Sequence, residues 1–273
     1  MSAAPAPIEL EAGGRTIGGL QLGAGPPLVL LNGLAATHAD WDPAFVAALA
    51  ESWTVVALDH RGMGASSDDG APFTIEDLAA DVATATDGLG LGPAAVAGWS
   101  MGGFVALALA AARPGLVTSL ALLGTATGGG EPSPPGVLET ITDLEPPPRE
   151  QAARLLALLF PAPVAAQIDA EFGDLVADAR AGLDAGVLAR QRQAILAWQA
   201  GGLAGRLGEI RAPALVACGT ADAVIPPANA LTLAAGLDGS WLVRFRDAGH
   251  AFMAQVPAAI ASLVTLHAAA APN

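Results

Sequence analysis

A disulfide within the chain is excluded at once, because its 273 residues include a single cysteine, Cys218. A lone thiol suits a reducing compartment, so a cytoplasmic location is expected. Positive charge is also scarce. Twelve lysines and arginines stand against 26 aspartates and glutamates, giving a net charge of -14 and an isoelectric point near 4.4. Such a surface repels phosphate backbones and anionic bilayers, so neither nucleic acid nor membrane is an expected partner. Met1 to Leu10 carries no positive residue and no long apolar run, which speaks against a secretory leader. Tyrosine is missing while alanine abounds, a mark of genomic base composition and not of function. Only Leu89 to Ala112 imitates a membrane span, being free of charge. Gly90, Gly92, Pro93, Gly98, Ser100, Gly102 and Gly103 interrupt it, so a buried strand, a tight turn and a buried helix are predicted there.

Apolar residues are plentiful, at 53% of the chain, enough for a large core. The length suits a single α/β domain with an insertion. Short continuous apolar runs predict strands buried on both faces at Pro27–Leu31, Trp53–Leu58, Ala94–Ala97 and Val117–Leu123. Helical patterns lie between them. Asp42-Pro43 reads as an N-cap and first-turn proline ahead of Phe45, Val46 and Leu49. Thr74 caps a helix bearing Ile75, Leu78 and Val82, which Gly88 closes. Met101 to Ala112 forms the next helix. This alternation implies a parallel sheet with helices on both faces.

The pattern changes at Thr127. No strand signal appears up to about Leu207, and two helical faces do: Val164, Ile168, Phe172, Leu175 and Val176, then Val187, Leu188, Ala194, Ile195 and Trp198. Strands return at Ala214–Cys218 and Trp241–Phe245, before a last helix with Ile260, Leu263 and Val264. The organisation expected is a core of 1–126 and 208–273, with a helical insertion at 127–207.

Gly98-Trp99-Ser100-Met101-Gly102 lies between a strand and a helix. The turn leaves no room for side chains beside the serine, hence the flanking glycines, and sets Ser100 at a helix N-terminus that favours negative charge. A free hydroxyl is a weak nucleophile and needs a base. Of four histidines, His250 follows the last strand at the same sheet edge as Ser100. His267, near the end of the last helix, suits a structural or dipole-neutralising role. His60 suits a turn and His38 the rim of a pocket. The base needs an acceptor to set its tautomer. Asp222, also at a strand end, is the candidate; Asp247 competes by proximity in sequence but reads more simply as a turn former. An oxyanion needs two fixed donors, assigned to the N–H groups of Met101 and Leu34, the latter in Asn32-Gly33-Leu34.

These residues, with Asp59-x-Arg61-Gly62-x-Gly64-x-Ser66, make the chain resemble the α/β-hydrolase superfamily over nearly its whole length. It is most similar to bacterial esterases, cofactor-free haloperoxidase-type proteins and 3-oxoadipate enol-lactone hydrolases. The resemblance implies an eight-stranded, mostly parallel sheet flanked by helices, with a helical lid inserted between two late strands. It also implies acyl-enzyme chemistry at Ser100, His250 and Asp222, without metal or cofactor, on a small-molecule ester or lactone. Carbon–carbon bond hydrolysis by the same triad and a non-catalytic ligand-binding role are the alternatives. Serine at position 100 argues against the epoxide-hydrolase and haloalkane-dehalogenase branches, which use aspartate there. Asn32 stands where many relatives have histidine, a change expected to alter pocket polarity. Apolar residues dominate the neighbourhood of the site, from Leu34, Trp99, Met101, Phe252 and Met253 on the core side to Leu155, Leu159, Phe172, Leu175, Ile195 and Trp198 on the lid.

Overall fold

Gly13 and Gly14, at φ 60° and 79°, form the two-residue turn joining β1 (Ala6–Ala12) to β2 (Arg15–Gly23). Both central positions of such a turn are left-handed, where glycine carries no Cβ penalty. This hairpin was not predicted from the strand patterns. β1 pairs on one side only, and of its residues Ile8 alone is buried. The computed structural model describes residues 5–270.

Six further strands follow: β3 (Pro27–Leu31), β4 (Thr54–Leu58), β5 (Ala94–Trp99), β6 (Val117–Leu123), β7 (Ala214–Gly219) and β8 (Trp241–Phe245). They form one eight-stranded sheet in the order β1-β2-β4-β3-β5-β6-β7-β8. β1–β2 and β2–β4 pair antiparallel, and every other pair is parallel. β3 and β5 pair on both sides, so their side chains are buried against helices above and below, as the continuous apolar runs require.

Helices cover both faces: α1 (Pro43–Ala50), α2 (Ile75–Gly88), α3 (Met101–Ala112), α8 (Ala228–Gly236) and α9 (Pro257–Ala270) around the sheet, with α4 (Val137–Thr142), α5 (Pro148–Leu159), α6 (Ala162–Ala181) and α7 (Ala185–Gln199) between β6 and β7. Asp42 caps α1 by accepting Phe45 N–H at 2.9 Å. Thr74 and Asp77 make a reciprocal capping box on α2. Gly88 ends α2 as expected, but the left-handed step falls to Gly90 at φ 65°. A Cβ on Gly88 would instead lie 2.7 Å from Leu10 Cδ2, so the glycine lets β1 pack close.

Two apolar clusters fill the two faces. One joins α2 and α3 to the sheet through Leu78, Val82, Phe104 and Leu107; the other joins α1 and α9 through Phe45, Leu49, Ile260 and Val264. The uncharged run at 89–112 resolves into β5, a turn and α3, whose residues from Met101 to Ala110 are all buried. Among the described residues no helix is long and apolar enough to cross a membrane.

The α6 face departs from expectation. Val164, Ile168 and Val176 pack on the core, but Phe172 and Leu175 are 50% and 68% exposed. The buried stripe runs instead through Ala165, Gly173, Ala177 and Arg180. Small residues let α6 lie close to α5, and an alanine-rich helix leaves periodicity with little to discriminate faces.

Candidate active site

β5 ends at Trp99 and α3 begins at Met101, so Ser100 makes the whole turn, at φ 56° and ψ −120°. A non-glycine residue holds such a backbone only when its surroundings insist. Here Ser100 N–H donates to Leu123 O at 3.0 Å, and Ser100 O accepts from Thr125 Oγ1 at 2.8 Å and Gly103 N–H at 2.9 Å. The glycines are steric necessities: a Cβ on Gly98 would collide with the Gly102 carbonyl, on Gly102 with the Leu31 carbonyl, and on Gly103 with Thr125.

β8 delivers His250 through the turn at Arg246–Gly249, and β7 delivers Asp222. Both are buried. His250 Nδ1–H donates to Asp222 Oδ2 at 2.8 Å, while Asp222 Oδ1 accepts Val224 N–H at 2.8 Å and Ile225 N–H at 2.9 Å. Three donors thus fix this carboxylate and stabilise its charge. The bond also commits His250 to the tautomer with Nε2 free to accept a proton. The end of β6 packs against the pair: a Cβ on Gly124 would lie 3.4 Å from both Asp222 Oδ2 and His250 Nδ1. No hydrogen bond joins Ser100 Oγ to His250 Nε2 among the described residues. Such bonds are often loose without substrate and tighten in the complex.

The loop after β3 lies beside the serine, since a Cβ on Gly33 would sit 3.3 Å from Ser100 Cβ. Asn32 turns its amide nitrogen and its carbonyl into the core. It is buried, its Nδ2 donates to Leu58 O at 2.8 Å, and its carbonyl accepts from His60 Nε2 at 3.0 Å. The N–H groups of Leu34 and Met101 donate to no protein acceptor among the described residues, as unspent oxyanion donors require.

The other titratable candidates fall elsewhere. His60 is buried beneath the loop, and that burial holds its pKa below the usual histidine value of 6.5. His38 Nδ1 bonds Asp59 Oδ2 at 2.8 Å; the same carboxylate accepts His38 N–H and Ala65 N–H, tying two loops together. His267 is buried against Trp241, and desolvation lowers its pKa, so it stays neutral and does not offset the helix dipole. Asp247 is left-handed at φ 55° with its side chain 85% exposed, a turn residue as expected. Phe252 stacks on Phe245 and, like Met101, is core. Four arginines between β6 and β7 are paired, Arg149 with Asp169, Arg154 with Glu150, Arg190 with Asp68 and Arg192 with Glu139, while buried Arg180 meets, among the described residues, only Gln151 Oε1 and the Asp143 carbonyl. Among the described residues no cluster of His, Cys, Asp or Glu is arranged to hold a metal ion. Thr125 and Gln191 were not expected from sequence at the site, and a lone threonine or glutamine carries no motif that would reveal it.

Against known proteins, the alpha/beta hydrolase fold family matches residues 26–255. A Variovorax paradoxus protein to which carbamate hydrolysis is ascribed (RutD) is 31% identical over 83% of this chain and 85% of its own length. The pyrrolizixenacetamide deacetylase of Xenorhabdus hominickii is 37% identical over a shorter stretch, 37% of this chain and 38% of that protein. The crystal structure of an enol-lactonase from Burkholderia xenovorans superposes with a TM-score of 0.83 at 28% identity, over 95% of this chain and 98% of that one.

Proposed function

We propose that this chain, which belongs to the α/β-hydrolase fold family, is a serine hydrolase that cleaves a small carboxylic ester or lactone through an acyl-enzyme. The observation that carries the reading is the bond from His250 Nδ1–H to a carboxylate already held by two backbone amides, at the sheet edge where Ser100 is strained into its turn. In this reading Ser100 Oγ attacks the carbonyl carbon and His250 Nε2 takes its proton. The oxyanion forms against Leu34 N–H and Met101 N–H. Collapse returns the proton from His250 to the departing alkoxide and leaves Ser100 acylated. Water, deprotonated by His250, attacks the acyl carbon; the second collapse frees the acid and restores Ser100.

Residues 127–207 serve as the lid. They touch the site from two sides: Leu159 O accepts Ala251 N–H at 3.1 Å, one residue past His250, and Gln191 Oε1 accepts Ala35 N–H, one residue past Leu34. Arg149, Arg154, Arg190 and Arg192 are each engaged by a carboxylate of the chain, which favours a neutral substrate. The carbamate and lactone chemistry in the names of the relatives belongs in the same test. A buried, unpaired Cys218 suits the cytoplasm.

The test is labelling with a fluorophosphonate followed by peptide mass spectrometry. Label on Ser100, lost in Ser100→Ala with melting unchanged, supports the reading; label on another serine, or none, overturns it.

A further inference from the structure

One glutamine at the junction of lid and core has no part in the steps above. Gln191 of α7 is wholly buried, and its Oε1 accepts Ala35 N–H at 3.0 Å. Because that partner is a donor, the amide must turn its oxygen to Ala35. Its Nε2 is then buried without a hydrogen-bond partner among the described residues. Leaving half an amide unpaired destabilises the fold, and methionine or leucine would fill the space without that cost. Packing therefore does not account for a glutamine here.

Ala35 does. It is left-handed at φ 60°, a backbone that a residue with a Cβ keeps only under constraint. The near end of the loop is held twice, by Asn32 Nδ2 on Leu58 O and by His60 on Asn32 O. At the far end, among the described residues, Ala35 and Ala36 have one backbone bond, Ala36 N–H to Gly33 O, long at 3.4 Å. Asp59 anchors the chain further on, at His38, and at Ala35 itself Gln191 makes the one side-chain bond among the described residues.

We infer that Gln191 is a positioning residue: by clamping Ala35 it holds the neighbouring Leu34 N–H where the oxyanion forms, so that this donor is in place only while α7 is seated on the core. The inference rests on the serine-hydrolase reading. An oxyanion donor acts on the transition state and little on bound substrate, so its loss falls on kcat and not on KM.

The test compares Gln191→Met and Gln191→Glu in the full chain, using an ester the wild type hydrolyses and a trifluoromethyl ketone that forms a tetrahedral adduct. In Q191M kcat should fall about 10- to 100-fold, with KM within about threefold of wild type. Ketone affinity should weaken by the same factor as kcat/KM, and Tm should stay within about 2 °C. Q191E keeps an acceptor for Ala35 and should recover most of kcat. Full turnover in Q191M, a loss confined to KM, or a kcat loss that tracks a Tm loss in both variants would overturn the inference. A wild type whose Ser100 takes no fluorophosphonate overturns the parent reading instead, so the two failures are distinct.

Discussion

The indole N–H of Trp99 donates to the carbonyl oxygen of His250 at 3.1 Å, so the residue before the proposed nucleophile anchors the backbone of the proposed base. The two rings also pack 5.4 Å apart. Trp99→Phe keeps an aromatic ring but leaves a buried carbonyl unpaired, at a cost of about 1–3 kcal/mol. Expected are a lower Tm and a kcat reduced by roughly tenfold with KM little changed. Unchanged kcat would show that the backbone of His250 holds its place unaided.

Asp222→Asn should lower turnover by a factor on the order of 10⁴, because an amide does not hold the histidine tautomer that a carboxylate does. Asp247→Asn should cost almost nothing, since asparagine tolerates the same left-handed turn and the side chain faces water. Steady-state kinetics on both variants decide between the two carboxylates; the reverse ranking would move the orienting acid to Asp247.

His60 and His267 are both held neutral by burial, with pKa values lowered from 6.5. In the unfolded chain each titrates near 6.5, so below that pH the unfolded state binds protons that the folded state refuses. Stability is therefore full above about pH 7 and falls as pH drops through 6.5 toward the lowered values, by up to about 1.4 kcal/mol per pH unit for each histidine. Melting curves between pH 7.5 and 5 should show the decline. His60→Gln, which can still donate to Asn32 O, should flatten it; an unaltered slope would clear His60 of the effect.

With Arg149, Arg154, Arg190 and Arg192 already paired, the proposed site should prefer neutral substrates. Each methylene of an acyl chain buried there contributes roughly 0.8 kcal/mol. Across short to medium esters, lactones, carbamates, a dicarboxylic enol-lactone and a vinylogous 1,5-diketone, kcat/KM should be highest for a neutral ester or lactone. Preference for the dicarboxylic substrate would mean that Arg190 or Arg192 leaves its partner to enter the site. Activity on the diketone alone would make the reaction carbon–carbon cleavage.

The parallel strands were legible because β3, β4, β5, β6 and β7 are short, mostly apolar and mostly buried runs, broken in β6 only by Thr118 and Ser119. β1 and β2 were not, since an edge hairpin buries few side chains and Gly18 and Gly19 break the alternation, although Gly13-Gly14 is itself a hairpin signal. At the site, Ser100, His250 and Asp222 were legible from motif and strand-end position, and the structure brings His250 and Asp222 into contact. Gln191 was out of reach because its bond to Ala35 spans 156 positions, and nothing local distinguishes it from a surface glutamine.

The three glycines around Ser100 have a wider meaning. Each is pressed against backbone or a buried threonine in the middle of the sheet, on the Leu31 carbonyl, the Gly102 carbonyl and Thr125. The position of the proposed nucleophile is thus stored in the interior. The helical stretch between β6 and β7 meets the site at separate points instead, Gln191 on Ala35 N–H and Leu159 O on Ala251 N–H. A lineage built on this chain is free to rewrite most of that stretch, and so change diet, while inheriting its chemistry, provided the glutamine seated on Ala35 is kept; exchanging the segment between homologues that share it should transfer preference without having to rebuild the reaction.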